Sequence, residues 1–280
     1  MCFNTNKLLS DFEVKLRLQR YASSSIKTYK NALTKFLVAF QQYDLEHISL
    51  VQIQTFIHHL QTKDSISATY QKQILASISK FYLLYYKRKL NLSPLYPKRK
   101  AKPLPKYLTV SEVKRLLQQC ANLKHECILK ILYGCGLRVS EVIALKITDI
   151  DSTAMRLMVR AAKGKKDRVL PLPLTLLENL RQYYLAYLPK EYLFEGQSGG
   201  KYTAKSIQSF IKKYAHKANI QKSVTPHMLR HSYATHQLEN GINIRYVQEL
   251  LGHNSIKTTE LYTHVTKISK NNISNPLDHL

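Results

Sequence analysis

Tryptophan is absent from this chain, glycine occurs only 8 times in 280 residues, and the cysteines number four: Cys2, Cys120, Cys127 and Cys135. Their spacing fits neither a CxxC metal knuckle nor a dense disulfide framework, so the thiols read as buried or incidental. No run of 18 or more apolar residues exists, which leaves no candidate for a membrane-spanning helix. The first twenty residues carry Asp11 and Glu13 inside an amphipathic pattern, unlike a signal peptide, and a soluble cytoplasmic protein is expected. Acidic side chains are the conspicuous shortage. Eighteen Asp and Glu face 43 Lys and Arg, a formal net charge of +25. Such an excess repels itself unless a polyanion lies against it, so nucleic acid is the expected partner and a membrane is not.

What is present is enough apolar material, 44% of residues, to fill two cores. From Lys7 to about Lys89 apolar residues recur at helical spacing in four stretches, with serines at the expected N-caps. After Ser23, Ser24 and Ser25 come Ile26, Tyr29, Leu33, Phe36, Leu37 and Phe40. Ser49 precedes Ile53, Phe56, Ile57 and Leu60, and Ser67 precedes Tyr70, Ile74, Ile78, Phe81 and Tyr85. Residues 1–90 are therefore expected to form a helical bundle, decorated by lysines such as Lys27, Lys30, Lys35 and Lys80 that either meet phosphates or form a solvated face. Residues 91–106, with SPLYPKRKAKPLPK, hold four prolines and five basic residues without apolar periodicity. They read as a basic interdomain linker, suited to lie along a phosphate backbone.

A second domain is expected over 107–265. Thr109 and Glu112 form a capping-box signature. Leu123 to Tyr133 reads as a helix ended by Gly134 and Gly136, followed by a short helix from Arg138 to Leu145. Between Ile147 and Pro171 the texture becomes β, with ITDID, MRLMVRA and DRVLPL, and a basic turn at Lys163-Gly164-Lys165-Lys166. Helical patterns resume from Thr175, Thr203, Pro226 and Asn243, and a short one spans Ile256 to Tyr262. The predicted fold class is mainly α with a small antiparallel β-sheet, in two domains. Residues 266–280 form a tail.

Phosphodiester cleavage needs an in-line nucleophile, neutralisation of a pentacoordinate dianion, and a proton for the leaving oxygen. Arginine pairs clamp non-bridging oxygens, and lysine or histidine can supply the proton. The second half offers these types. Arg138 stands at a helix start, Lys163 at a hairpin tip, and His227 and Arg230 share one helix face by their i, i+3 spacing. His253 follows in LLGH, and Tyr262 lies nine residues later in TTELYTH. His227 and His231 at i, i+4 would also suit zinc, as in a metal-dependent hydrolase, but the glutamate of an HExxH site is replaced by Met228.

Taken in order, GLRVSE (Gly136 to Glu141), Lys163-Gly164, TPHMLRHSYATH (Thr225 to His236), LLGH (Leu250 to His253) and TTELYTH resemble the tyrosine recombinase family, also called phage-type integrases. The resemblance is greatest to its compact Xer-type and integron-type members, and covers most of Tyr107 to Val265. It implies a SAM-like core-binding bundle and a catalytic domain that together form a C-shaped clamp on double-stranded DNA. Arg138, Lys163, His227, Arg230, His253 and Tyr262 are then the active-site set. Tyr262 would attack the scissile phosphate to form a 3′-phosphotyrosine, Arg138 and Arg230 would hold the phosphate, and Lys163 would be the general acid, although Lys165 and Lys166 share its turn. His227 would assist proton transfer at the tyrosine, and His253 would hydrogen-bond the phosphate. His231, directly after Arg230, is expected to face elsewhere and be structural. Glu141 either orients Arg138 or forms a surface pair. No metal, ATP or other cofactor is implied. Four subunits are expected on two paired sites, with a partner recombinase or accessory protein possible in the scheme and the tail exchanged between subunits. The rival from another class is a catalytically silent DNA-binding accessory protein.

Overall fold

Local cap chemistry sets where three of the four helices of the first unit begin. A computed structural model describes residues 3–98, 105–160, 167–197 and 199–263, and the chain divides into two units, Met1–Ala101 and Lys102–Leu280. Helix α1 (Thr5–Leu18) starts at Asn4, whose side chain accepts the Lys7 amide at 3.1 Å. Helix α2 (Ser23–Ala39) is capped by Ala22 without a side-chain bond. Its three serines therefore lie inside the first turn, a correction to their reading as caps, because the chain turns helical one residue early. Helix α3 (Leu50–Thr62) has a full capping box between Ser49 and Gln52, and α4 (Ala68–Tyr85) is capped by Ser67.

The apolar faces of these four helices meet in one core, with Phe12, Leu16, Phe36, Ile53, Ile74, Phe81 and Tyr82 fully buried. Buried hydroxyls there must find acceptors. Tyr82 donates to the Leu45 carbonyl at 2.6 Å, and Ser77 to that of Tyr29 at 2.7 Å, which ties α4 to α2. Leu92 also enters this core, and the Gln71 amide donates to the Leu95 carbonyl at 2.7 Å. The start of the proline-rich stretch thus packs on the first unit; residues 99–104 lie outside the described residues. Lys30 and Lys35 are ion-paired with Glu13 and Asp64.

The second unit is built around α6. Helix α5 (Val110–Gln118) opens with the Thr109–Glu112 capping box, and α6 (Leu123–Gly134) buries Cys127, Ile128, Leu129, Ile131 and Leu132. A helix apolar on nearly every side belongs in the middle of a domain, and α6 packs on α5, α7 (Val139–Ala144), α8 (Leu174–Tyr187), α9 (Ala204–Lys217) and α10 (Pro226–Glu239). Strands β1 (Ile150–Asp151), β2 (Arg156–Val159) and β3 (Arg168–Pro171) form an antiparallel sheet in that order, with Leu157 opposite Leu170. Leu157, Val159 and Leu170 point into the core while Met158 and Val169 are exposed, the alternation a one-sided sheet requires. Helices α11 (Ile244–Leu251) and α12 (Glu260–Thr263) close the unit against α10.

Among the described residues, no helix is long and apolar enough to cross a membrane.

Candidate active site

The C-terminal end of α11 is where the site forms. An α-helix leaves its last carbonyls without intrahelical partners and carries partial negative charge there. Here three arginines supply the missing donors. Arg168 Nε donates to the Leu250 carbonyl at 2.8 Å, Arg230 Nη2 to that of Leu251 at 2.6 Å, and Arg138 Nη2 to that of Gly252 at 3.3 Å. Gly252 ends the helix in the left-handed conformation, φ 62°, and a Cβ there would lie 3.1 Å from Arg168 Nη1. The three side chains come from different places: Arg138 is the N-cap of α7, Arg168 opens β3, and Arg230 is in the first turns of α10.

Glu141 lies among them, its side chain only 14% exposed. It accepts the Arg138 amide and Arg138 Nη1, each at 2.8 Å, and a bidentate pair from Arg168 at 3.0 and 2.8 Å. Arg230 Nη1 is 3.9 Å away. Burial alone would raise the Glu141 carboxyl, but the hydrogen bonds from Arg168 and the Arg138 amide, with both positive charges, hold it at about 2. Three guanidinium groups around one carboxylate leave a local charge of +2. Arg230, 2% exposed, is depressed to about 10 by burial and then by Arg138, with Glu141 opposing. Its Nη1 donates to the Gly136 carbonyl at 2.6 Å. Gly136 has φ 62°, and a Cβ there would collide with the Tyr233 ring, so the bend that delivers Arg138 needs glycine.

Tyr262, on α12, is 2% exposed and packs with Tyr233, Leu238, Val247 and Leu251. Its hydroxyl lies 2.7 Å from His231 Nδ1. The His253 ring is nearly parallel to the Tyr262 ring, centroids 6.4 Å apart, and its Nδ1 is 3.0 Å from the Thr259 hydroxyl. The His227 ring stacks on that of His231 with centroids 6.0 Å apart, and His227 lines a groove with Arg138, Ser140, Gln208, Lys212 and Thr225. Burial, followed by neighbouring positive charge, pushes His227 and His253 down, His253 to about 3. Burial raises the Tyr262 phenol while Arg230 and Arg138 oppose it. Among the described residues no three His, Cys, Asp or Glu side chains converge as metal ligands would.

Five of the six residues singled out from sequence, Arg138, His227, Arg230, His253 and Tyr262, thus gather at one end of α10 and α11. Lys163 lies outside the described residues. The sequence matches the phage integrase family over residues 106–268 and the phage integrase N-terminal SAM-like domain over residues 8–92. It is 36% identical to the tyrosine recombinase XerA of Thermococcus onnurineus over 267 residues, covering 93% of this chain and 92% of that protein. It is 34% identical to the tyrosine recombinase XerD of Oceanobacillus iheyensis, covering 92% and 94%. Among solved structures, a lambda integrase dimer bound to a COC′ core site shares the fold, with a TM-score of 0.75 at 18% identity over 92% of this chain and 76% of that one. This chain belongs to the phage integrase family. It is a tyrosine recombinase.

Donor geometry separates the recombinase's three arginines. A guanidinium has five N–H donors. Among the described residues, Arg138 and Arg230 each engage one donor on Nη1 and one on Nη2, so three N–H groups apiece are not used in these bonds. Arg168 commits Nε, Nη1 and Nη2 to Leu250 and Glu141, so it is mainly a strut. Sequence reading passed over Arg168, a single arginine in a strand pattern. It also set His231 aside; the structure turns that ring onto Tyr262, a correction whose cause is the approach of α12, 31 residues away in sequence. Glu141 is a buried hub and no surface pair.

Proposed function

We propose that this recombinase cleaves and rejoins double-stranded DNA through a 3′-phosphotyrosine bond at Tyr262. The observation that carries the reading is the convergence of Tyr262 with Arg138 and Arg230, whose remaining N–H donors suit the non-bridging oxygens of one phosphate. In this scheme the Tyr262 oxygen attacks phosphorus, the 5′-oxygen leaves, and Lys163 protonates it. The +2 environment around Glu141 offsets the charge that builds on the phosphorane, and its donors are already oriented before substrate arrives. His227, beside Arg138 in the groove, and His253 complete the set at the phosphate. Because the phosphotyrosine keeps the energy of the broken bond, rejoining requires no external energy source. Tyr262 is only 2% exposed, so the groups that cover its hydroxyl must part before a phosphate reaches it.

Strand exchange joins two duplexes, so the active assembly is a tetramer on two paired sites, each subunit holding a half-site; the tail expected to be exchanged between subunits, 266–280, lies outside the described residues. Homology to proteins that act as recombinases and the net charge of +25 support DNA as the substrate. The test is trapping on a nicked duplex carrying a site selected from a randomised library, in EDTA, resolved on a denaturing gel. Wild type should form a covalent adduct and Tyr262→Phe none, while both bind the duplex equally. Tight binding without an adduct would replace this reading by a DNA-binding accessory protein.

A further inference from the structure

We propose that His231 is the general base that takes the phenolic proton of Tyr262, which leaves His227 free to serve the phosphate. The inference rests on Tyr262 being the nucleophile. His231 Nδ1 stands 2.7 Å from the Tyr262 oxygen, within the reach that direct proton transfer demands. Among the described residues His227 makes no hydrogen bond to that hydroxyl; its ring stacks on His231 and borders the groove with Arg138 and Lys212. His253 is engaged through Nδ1 with Thr259. Of the three histidines at the site, His231 alone is joined to the reacting oxygen.

For Nδ1 to accept a proton the ring must be neutral, with its own proton on Nε2. Burial, then His227 and Arg230, hold His231 at about 4, so the accepting form is the populated one near neutral pH. Burial first, and then these charges, make it a weak base at rest. A phosphate held by Arg230 offsets that guanidinium's charge, the last of these three causes, which strengthens the base in that part when substrate is in place. His231 also directly follows Arg230 on α10, which keeps base and phosphate holder on one rigid element.

In the cleavage step the Tyr262 O–H bond breaks and its proton moves to His231 Nδ1. The freed oxygen pair forms the bond to phosphorus, and the P–O5′ pair departs with the 5′-oxygen, which is protonated by the general acid. In rejoining, the 5′-hydroxyl gives its proton back to the deprotonated general acid as it attacks phosphorus, the P–O bond to Tyr262 breaks, and His231 returns its proton to the phenol oxygen.

The experiment measures single-turnover adduct formation on the nicked selected-site duplex for wild type, His231→Gln and His231→Ala, each with tyrosine or trifluorotyrosine at position 262. Loss of the base should slow cleavage about 10²–10⁴-fold with DNA affinity unchanged. The more acidic trifluorophenol depends less on a base, so it should recover at least about tenfold of that loss while changing wild type little. A variant that cleaves as fast as wild type, or faster, would make the contact a resting clasp and overturn the proposal. A deficit equal with both phenols would reduce His231 to a structural support. Absence of any Tyr262 adduct in wild type would instead remove the functional reading on which the proposal stands.

Discussion

Replacing Glu141 by glutamine should destabilise the second unit by about 3–5 kcal/mol, the cost typical of breaking a buried ion pair from one side. The structure gives an independent figure. Its carboxyl moves from an ordinary 4.5 to about 2. At about 1.4 kcal/mol per pH unit that gap is worth about 3 kcal/mol. Because the folded value is depressed, this stabilisation is fully present above about pH 4.5 and is lost as pH falls through about 2. Glutamine keeps the shape but can accept only through one oxygen, and three guanidinium groups are then left without a counter-charge. The suitable assay is hydrogen exchange of the α6 amides in the intact protein, since the chain has no tryptophan to report unfolding. At pH 7 the opening equilibrium of E141Q should rise by at least about two orders of magnitude. Between about pH 5 and pH 2 the gap between the two proteins should close, because wild type loses what the variant never had. A difference at pH 7 below about 0.5 kcal/mol, or one that does not shrink on acidification, would refute the hub assigned to Glu141.

Three further outcomes follow from the same geometry. Arg168→Lys removes the bidentate fork that fixes Glu141, so cleavage should fall about 10- to 100-fold with DNA affinity nearly unchanged, as suits a displaced rather than a missing phosphate ligand; parallel adduct and binding assays separate the two. Gly136→Ala must hold a left-handed φ and push Tyr233 aside, which should cost about 2–4 kcal/mol in thermal unfolding followed by circular dichroism. DNA affinity should fall steeply with salt, linearly on logarithmic axes and with a slope of about −0.9 for each phosphate neutralised; a flat response would count against a backbone-gripping protein.

Local structure was largely written in local sequence. The caps at Ser49 and Ser67, the capping box at Thr109 and the alternation in β2 each depend on residues within one turn or one strand, and each is found where the pattern places it. The misreadings share a different origin. Ser23 to Ser25 offer three equivalent hydroxyls, and propensity alone does not say which residue will precede the helix. Leu92 and Leu95 carry no periodicity, yet Leu92 is buried in the core of the first unit and Leu95 packs against it. Of the site, the motif order yielded Arg138, His227, Arg230, His253 and Tyr262, which the structure gathers together. It could not yield Arg168 or the partner of His231, since their contacts span 27 and 31 positions and arise only when β3 and α12 close on α7 and α10.

That division has a physical logic. In the proposed mechanism Arg138 and Arg230 keep donors for the phosphate, so something else has to hold them, and an isolated arginine on a helix would sample many rotamers. The fold answers with backbone carbonyls: Gly136, Leu250, Leu251 and Gly252 accept from the three arginines, and Glu141 contributes a side-chain acceptor. Carbonyls at a helix end attract guanidinium without neutralising it, whereas a second carboxylate would cancel the charge a phosphate needs. One acid among three arginines is therefore close to the fewest that lets Arg230 be buried while the site stays positive. The scarcity of Asp and Glu visible in the whole chain is repeated here where it matters for binding an anion.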